Sequence, residues 1–419
     1  MTLLDPIPAP GCGCDAEHGS LASVPNAVAW ALACVRPQTQ TECVPLHLAA
    51  GRVLATAVRA QTDLPRFACA AMDGYALRFG DAQAAALPVS GTAAAGQPPA
   101  TLRPGTAMRI FTGAPLPHGA DSVVMQEDTR PATGNAIALI SAPIRGAHIR
   151  LPGEDQRAGD VLIAAGQRLD ALSIGSCAGA GAGELQVFCR PKVSVLVTGD
   201  ELTTAGSPLA EGAIWDVNGP MISAALTAAG CELVDLIRLP DQPDLLRATL
   251  FKLARRNDMI VTSGGASVGD RDHMADVLAD LGAKSQVAGI AIKPGKPTTV
   301  ATISGTPVLA LPGNPLAAFT LWQILGRAMV ARLSGAMPET TTCRHVRVTG
   351  PLRHTPGRCE YRPAHIVGYG PDGLECVVCP DTTCSARLSQ AQAADGFILF
   401  PADCEGLSQG DLAEFLPFQ

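Results

Sequence analysis

Apolar residues recur with two different periods along residues 191–335, and the two periods alternate. Short apolar runs such as 193–198 predict strands, whereas Leu246, Leu250 and Leu253 are spaced as one face of a helix. Strands that alternate with helices at this spacing favour a parallel sheet with helices on both faces. Ligands of such sheets bind beyond the carboxyl ends of the strands.

The flanking segments consist of short apolar runs separated by glycine and proline, a texture that predicts β-rich domains. The sequence therefore predicts a multidomain α/β plus β protein, with a central parallel-sheet α/β domain, flanking β-rich domains and a discontinuous linker domain. The predicted limits are a tail at 1–20, an α+β linker domain at 21–60 and 156–190, a small β-rich domain at 61–155, the α/β domain at 191–335 and a C-terminal β-barrel-like domain at 336–419.

Charge and composition narrow the class of protein. The 419 residues carry a formal net charge of −7 without a block of lysine and arginine, so we expect no nucleic-acid partner. No apolar run reaches the roughly 20 residues that a membrane-spanning helix needs, and the N-terminus lacks a signal-peptide pattern. The scattered cysteines are typical of reduced thiols. We therefore expect a cytoplasmic protein without a membrane partner.

Two cysteine spacings have a metal-binding interpretation as well as a structural one. Cys12 and Cys14 lie close together in the tail, and Cys376, Cys379 and Cys384 resemble half of a zinc site. Residues three apart on a strand point to opposite faces, and no second pair completes a tetrahedral ligand set. The structural interpretation is favoured for both.

Glycines, serines and carboxylates are concentrated in strand-to-helix turns of the α/β segment. Backbone N–H groups in such a turn can approach an oxyanion, here around Ser263, Gly264, Gly265 and Ser267. Carboxylates at Asp200, Glu201, Asp270 and Asp272 offer oxygen ligands for Mg²⁺. A helix cap is the alternative for a single aspartate, but four acidic residues beside glycine-rich turns favour a site.

Two proline-containing turns follow in the same segment. Lys293 and Lys296 flank a Pro-Gly pair, so their ammonium groups can clasp a dianion; a solvated surface turn is an equal alternative. Pro312 and Asn314 form a rigid turn before an apolar helix, and Asn314 is favoured as a turn residue.

In the first β-rich domain, Asp73 and Thr112 occupy turns that are individually typical of hairpins. No Ser-His-Asp arrangement is readable, and the histidines lack metal spacing, so covalent nucleophilic catalysis is not favoured. Together with the turns of the α/β segment, these residues indicate an enzyme that holds anions and a divalent cation.

These turns together resemble the MoeA family of molybdopterin molybdenumtransferases, to which the E domain of gephyrin is related. The resemblance covers the chain from about residue 23 to the end, and the matching stretches occur in the family's order. They are 71–76, 109–126, 151–155, 198–202, 262–272, 292–297 and 311–315.

The resemblance implies an elongated homodimer whose α/β domain binds molybdopterin, with each active site completed by the β-domains of the other subunit. It implies that adenylylated molybdopterin and molybdate are the substrates and that Mg²⁺ is the cofactor. AMP is then released and molybdenum is placed on the dithiolene sulfurs. Molybdopterin adenylyltransferase and molybdoenzyme maturation proteins are implied as candidate partners.

Matching positions assign roles to individual residues. The resemblance implies catalytic roles for Asp73, Thr112, Glu201 and Asp272, and Mg²⁺ contacts for Asp73, Glu201, Asp241 and Asp272. It implies substrate contacts for Asp155, Ser263, Gly264, Gly265, Ser267, Asp241, Lys293, Lys296, Pro312, Asn314, Arg362 and Ser385.

Within the region of resemblance the chain departs from the family pattern at two places, and the tail with Cys12 and Cys14 is extra. Cys69 and Ala70 stand where the family usually has Asn-Ser, and Cys384 stands where a glycine usually precedes the serine. Two alternative functions remain: a scaffold protein of the same fold that binds molybdopterin without turnover, and a molybdopterin adenylyltransferase. The flanking β-rich domains argue against the adenylyltransferase.

Overall fold

A computed structural model describes residues 21–265, 273–338 and 344–418 of the chain. Its contacts define two compact units, one formed by Cys43–Val187 and the other by the chain before and after that segment. Several residues named above lie outside the described residues, namely Cys12, Cys14, Ser267, Asp270 and Asp272.

The second unit is built on a six-stranded sheet. Its strand order is Glu232–Leu239, Lys192–Thr198, Met259–Ser263, Thr306–Leu311, Thr299–Ile303 and Lys284–Ala288. The first four strands are parallel, which confirms the predicted parallel sheet. The strand Thr299–Ile303 is antiparallel to both neighbours. A two-residue turn connects it to the strand Thr306–Leu311. Ser304 and Gly305 in this turn have φ values of 52° and 94°, a geometry that suits tight hairpins.

Helices cover both faces of this sheet. They are Val24–Ala33, Asn218–Ala228, Pro243–Ala254, Met274–Asp280 and Pro315–Leu321, the last continuing through a π-turn at Trp322–Gly326 into Arg327–Leu333. The neighbouring residues Val195 and Leu196 lie in two separate hydrophobic cores because successive side chains of a strand point to opposite faces.

The helix Val24–Ala33 packs against the α/β sheet. Its Ala27 and Ala31 are buried in the same hydrophobic core as Trp322. The small alanine side chains let the helix backbone approach the large indole closely. The predicted domain limits, including the assignment of this helix to the linker domain, stay predictions.

The first unit contains a second six-stranded sheet that forms a half-barrel. Its strands are, in order, Ser122–Met125, Gly74–Leu77, Ala107–Ile110, Leu87–Ala93, Ala136–Leu139 and Thr129–Ala132. Shorter strands pair beside it, Cys69–Ala70 with Ile149–Arg150 and Val58–Arg59 with Val161–Ile163, and a helix spans Ala171–Gly179. The strands Thr41–Pro45 and Glu184–Phe188 pair where the chain enters and leaves this unit.

The C-terminal part is a closed β-barrel, as predicted. Its strands follow the order Cys359–Tyr369, Glu375–Val378, Arg344–Val348, Leu412–Pro417 and Gly396–Phe400, and the last pairs with the first. The short strand Ile292–Lys293 of the α/β region runs parallel beside Cys359–Tyr369. The remaining short elements are Leu202–Thr203 with Ile214–Trp215, Leu352–Arg353 with Gly406–Leu407, and the helix Ser389–Gln392. Over the described residues, the helices are too short or too polar to cross a membrane.

Candidate active site

The three central parallel strands end side by side at one edge of the α/β sheet. Ser263 is in register with Val197 on one side and with Leu311 on the other, so the turns that follow these strands lie together. Gly264 has a φ of 93°, and a Cβ atom at this position would lie 2.2 Å from the carbonyl oxygen of Thr198. Only glycine allows so close an approach, and the N–H of Gly264 donates to the carbonyl of Leu311 at 3.3 Å, which holds the neighbouring strand ends together.

Asn218, which was not among the predicted site residues, ties these turns together. Its side-chain Nδ2 donates hydrogen bonds to the hydroxyl of Ser263 at 2.8 Å and to the carbonyl of Gly313 at 2.7 Å. The Ser263 hydroxyl in turn donates to the carbonyl of Pro312 at 3.1 Å. Asn218 is 5% exposed, and its Oδ1 has no partner among the described residues. The signal in the sequence was an Asp-Val-Asn run at a helix start, a composition typical of caps.

The predicted acidic residues lie in loops that leave the first and second strands. The backbone N–H of Asp241 donates to the carboxylate of Asp200 at 3.1 Å, which joins the two loops, and Glu201 is exposed. A further acidic residue of this region, Asp216, has a structural role. It pairs with Arg238 at 2.7 Å and accepts the N–H of Gly219 at 2.8 Å.

The oxygen donors of these carboxylates are of the kind that Mg²⁺ binds. In the described parts of the chain, no group of three or more His, Cys, Asp or Glu side chains is placed to enclose a metal ion. Mg²⁺ binds through one or two carboxylates and keeps its other positions for water and substrate phosphates. The hard oxygen donors of Asp200, Glu201 and Asp241 fit that requirement.

A second cluster, which we call the Glu360 cluster, consists of Glu360, Lys293, Arg362 and Thr383. Glu360 is fully buried, and its Oε2 lies 3.2 Å from the Lys293 ammonium. Its Oε1 accepts hydrogen bonds from Arg362 Nε at 3.1 Å and from the Thr383 hydroxyl at 2.6 Å. Burial raises the pKa of the Glu360 carboxyl, but the hydrogen bonds from Arg362 and Thr383 and the charges of Arg362 and Lys293 outweigh it and hold that pKa below its ordinary value.

Arg362 lies inside the barrel, with 1% of its surface exposed. Its guanidinium lies over the ring of Phe400, and its Nη2 donates to the carbonyl of Arg353 at 2.7 Å. Glu360 therefore connects the buried guanidinium of Arg362 with the partly exposed ammonium of Lys293. The assignment of Arg362 as a direct substrate contact stays a prediction.

The remaining predicted residues of this unit hold their loops through backbone contacts. The carbonyl of Ser385 accepts the N–H of Leu316 at 2.9 Å, so Ser385 lies at the start of the helix that follows Asn314. Lys296 has an exposed side chain, and its carbonyl accepts the N–H of Ile290 at 3.0 Å.

The first unit brings Asp73 and Thr112 together. Asp73 Oδ1 accepts hydrogen bonds from the backbone N–H and from the hydroxyl of Thr112, both at 2.7 Å. These two bonds, with the charge of Arg109, hold the pKa of Asp73 below its usual range. The guanidinium of Arg109 lies over the rings of Tyr75 and Phe111, with its Cζ 5.2 Å and 5.1 Å from their centroids. Asp73 is therefore an ionised, exposed and positioned carboxylate.

Asp155 and the two departures from the family pattern have simpler surroundings. Asp155 is exposed, and its N–H donates to the carbonyl of Leu64 at 2.9 Å. Cys69 is buried in a strand, and burial raises the pKa of its thiol. Cys384 donates its N–H to the side chain of Gln390 at 3.1 Å, which orders the turn before Ser385.

The fold is that of a protein with a parallel-sheet α/β domain and attached β-domains. Residues 22–181 match the MoeA N-terminal region, residues 194–332 match a probable molybdopterin binding domain, and residues 345–418 match the MoeA C-terminal region.

Curated proteins and solved structures point to one family. The molybdopterin molybdenumtransferase of Nostoc sp. is 40% identical over 71% of this chain and 70% of its own length. Molybdopterin molybdenumtransferase 2 of Mycobacterium tuberculosis is 33% identical over 88% of this chain and 92% of its own. The crystal structure of a MoeA protein from Pyrococcus horikoshii, 26% identical, superposes with a TM-score of 0.80 over 95% of this chain and 100% of its own. The chain belongs to the MoeA family of molybdopterin molybdenumtransferases, enzymes of molybdenum cofactor biosynthesis.

Proposed function

We propose that this enzyme transfers molybdenum from molybdate to adenylylated molybdopterin, with Mg²⁺ as cofactor and AMP as the leaving product. The observation that carries the proposal is the edge of the α/β sheet, where Gly264 and Gly313 turns held by Asn218 lie beyond parallel strands. Such turns present backbone N–H groups to phosphate oxygens. Loops that carry Asp200 and Asp241 leave the same sheet.

The chemistry divides between three groups of residues. Asp200, Glu201 and Asp241 would hold Mg²⁺, which when bound neutralises charge on the substrate phosphates. Lys293 offers an ammonium group to molybdate, a dianion that suits charged hydrogen-bond donors. The ionised, positioned carboxylate of Asp73 offers a further oxygen ligand for Mg²⁺, the role that the family resemblance implies for it.

We also propose that the enzyme is a cytoplasmic homodimer. The free thiols among the described cysteines are consistent with a reducing compartment. Isologous dimers are the commonest assemblies of soluble enzymes.

The direct test of this function is AMP formation from adenylylated molybdopterin by the purified protein. We expect AMP release that needs Mg²⁺, stops when EDTA is added and rises with molybdate. Tight binding of the pterin without AMP release under any of these conditions would favour the scaffold function instead. Consumption of ATP with free molybdopterin would favour the adenylyltransferase.

A further inference from the structure

The two carboxylate oxygens of Glu360 have different neighbours. Oε2 contacts the Lys293 ammonium at 3.2 Å and lies 3.9 Å from Nε2 of the buried His354, whereas Oε1 accepts from Arg362 and from Thr383. Glu360 is fully buried, while the Lys293 side chain keeps 34% of its surface exposed. The contact therefore holds the partly exposed ammonium group of Lys293 against the buried carboxylate of Glu360.

We propose that Glu360 is a positioning residue for molybdate binding, acting through Lys293 and through the segment that carries Ser385. This inference rests on the proposed function, because it concerns the same oxyanion. An ammonium group has three N–H donors, so one bond to Glu360 leaves two for an oxyanion. Holding the lysine by its head also removes side-chain entropy that anion binding would otherwise have to overcome.

The hydrogen bond from Thr383 to Glu360 also positions the segment that carries Ser385. Thr383 donates its hydroxyl to Glu360 at 2.6 Å, and Ser385 follows two residues later. The carbonyl of Ser385 is fixed in turn by the N–H of Leu316 at 2.9 Å. One buried carboxylate thus contacts Lys293 and Arg362 directly and Ser385 through a short, hydrogen-bonded segment.

The charge of the cluster matches the ligand class. Lys293 and Arg362 carry two positive charges and Glu360 carries one negative charge, so the three groups keep a net positive charge for a tetrahedral dianion. The negative charge of Glu360 reduces the repulsion between Lys293 and Arg362 and neutralises one of their two positive charges.

A carboxylate is required because an amide has only one acceptor oxygen. In Glu360→Gln, the amide oxygen can serve either Lys293 or the pair Arg362 and Thr383, and the amide N–H₂ then faces a donor on the other side. Thr383→Val is a milder change, because it removes one hydrogen bond and leaves all charges in place.

The experiment measures molybdate binding directly, by equilibrium dialysis of the purified full-length protein, and compares it with molybdate-dependent AMP release. For E360Q we expect the Kd and the KM for molybdate to rise about tenfold or more, the loss typical of a charged hydrogen bond. The kcat at saturating molybdate should stay within about threefold, because positioning acts on binding. T383V should weaken binding about threefold, and Glu360→Asp should restore part of the affinity.

Glu375→Gln is the matched control, since Glu375 is another ion-paired barrel glutamate, bound to Arg344. It should leave the molybdate Kd unchanged, and thermal unfolding of every variant separates lost binding from lost folding. Wild-type affinity in both E360Q and T383V, or tighter binding in E360Q, would overturn the inference.

The same measurements separate the role of Glu360 from the proposed function. If the wild type binds molybdate and E360Q does not, but no AMP is released, the proposed function fails while the role of Glu360 stands. If the wild type releases AMP and the variants keep its molybdate KM, the proposed function stands while the role of Glu360 fails.

Discussion

At the scale of single residues, Asp73 shows how local hydrogen bonds prepare a carboxylate for chemistry. Both bonds from Thr112 go to Oδ1, and they lower the pKa of Asp73 although the side chain is exposed. A carboxylate that is held in this way stays ionised at neutral pH with little loss of access.

We predict that Asp73→Asn lowers kcat by about 100-fold, because it removes an ionised carboxylate from the reaction while keeping the oxygen that Thr112 binds, with little change in Tm. Steady-state AMP release and thermal unfolding measure the two effects. Asp170→Asn is a suitable control, because Asp170 also accepts a backbone bond, from Ser173, but as a helix cap that asparagine replaces well. Equal losses of activity and stability in D73N would instead show a structural role.

Glu360 is predicted to make folding stability depend on pH. Because its pKa in the folded protein is lower than its ordinary value of 4.5, ionised Glu360 stabilises the fold above pH 4.5. That contribution is lost as the pH falls from 4.5 through the lower folded value. The difference in Tm between wild type and E360Q should therefore be largest at neutral pH and shrink in acid. A difference that is constant from neutral pH into acid would contradict this explanation.

At the scale of elements, the strand-exit turn at Gly264 depends on a left-handed backbone conformation and on a close approach to Thr198, both of which favour glycine. Gly264 and Gly305 have nearly the same φ, 93° and 94°, but only at Gly264 would a Cβ atom meet backbone, 2.2 Å from the Thr198 carbonyl oxygen. At Gly305 nothing lies within 4 Å.

This pair allows a matched test of the ligand-binding edge. Gly264→Ala and Gly305→Ala should share a cost of about 1 kcal/mol for the left-handed backbone. Only G264A should displace the turn and raise the KM for adenylylated molybdopterin, which AMP-release kinetics will show. Equal KM values in the two variants would mean that the turn beside Thr198 does not contact the substrate.

The elements themselves were largely predictable. The apolar run 193–198 forms most of the strand Lys192–Thr198, and the three leucines with helical spacing, Leu246, Leu250 and Leu253, are buried on the helix Pro243–Ala254. The antiparallel strand Thr299–Ile303 was not predicted, because a hairpin within an α/β pattern depends on turn conformation rather than on apolar period. Asn218 and Glu360 were missed because their importance comes from partners distant in the sequence.

At the scale of the whole molecule, the proposed homodimer can be tested by mixing two defective variants. Asp73 belongs to the first unit and Glu201 to the second. If each active site takes these residues from different subunits, a mixed dimer of D73N and Glu201→Gln contains one intact site. Random reassortment should restore about a quarter of wild-type turnover. Activity no higher than that of the two variants alone would show that the residues act within one subunit or that subunits do not exchange.

The proposed reaction is tested most sharply by the ratio of AMP released to molybdenum bound in the product. Purified enzyme is given adenylylated molybdopterin, Mg²⁺ and molybdate, and both quantities are determined in the same reaction. We predict one AMP for each molybdenum atom on the pterin. AMP release without molybdenum in the product, or molybdenum binding without AMP release, would contradict the proposed transfer.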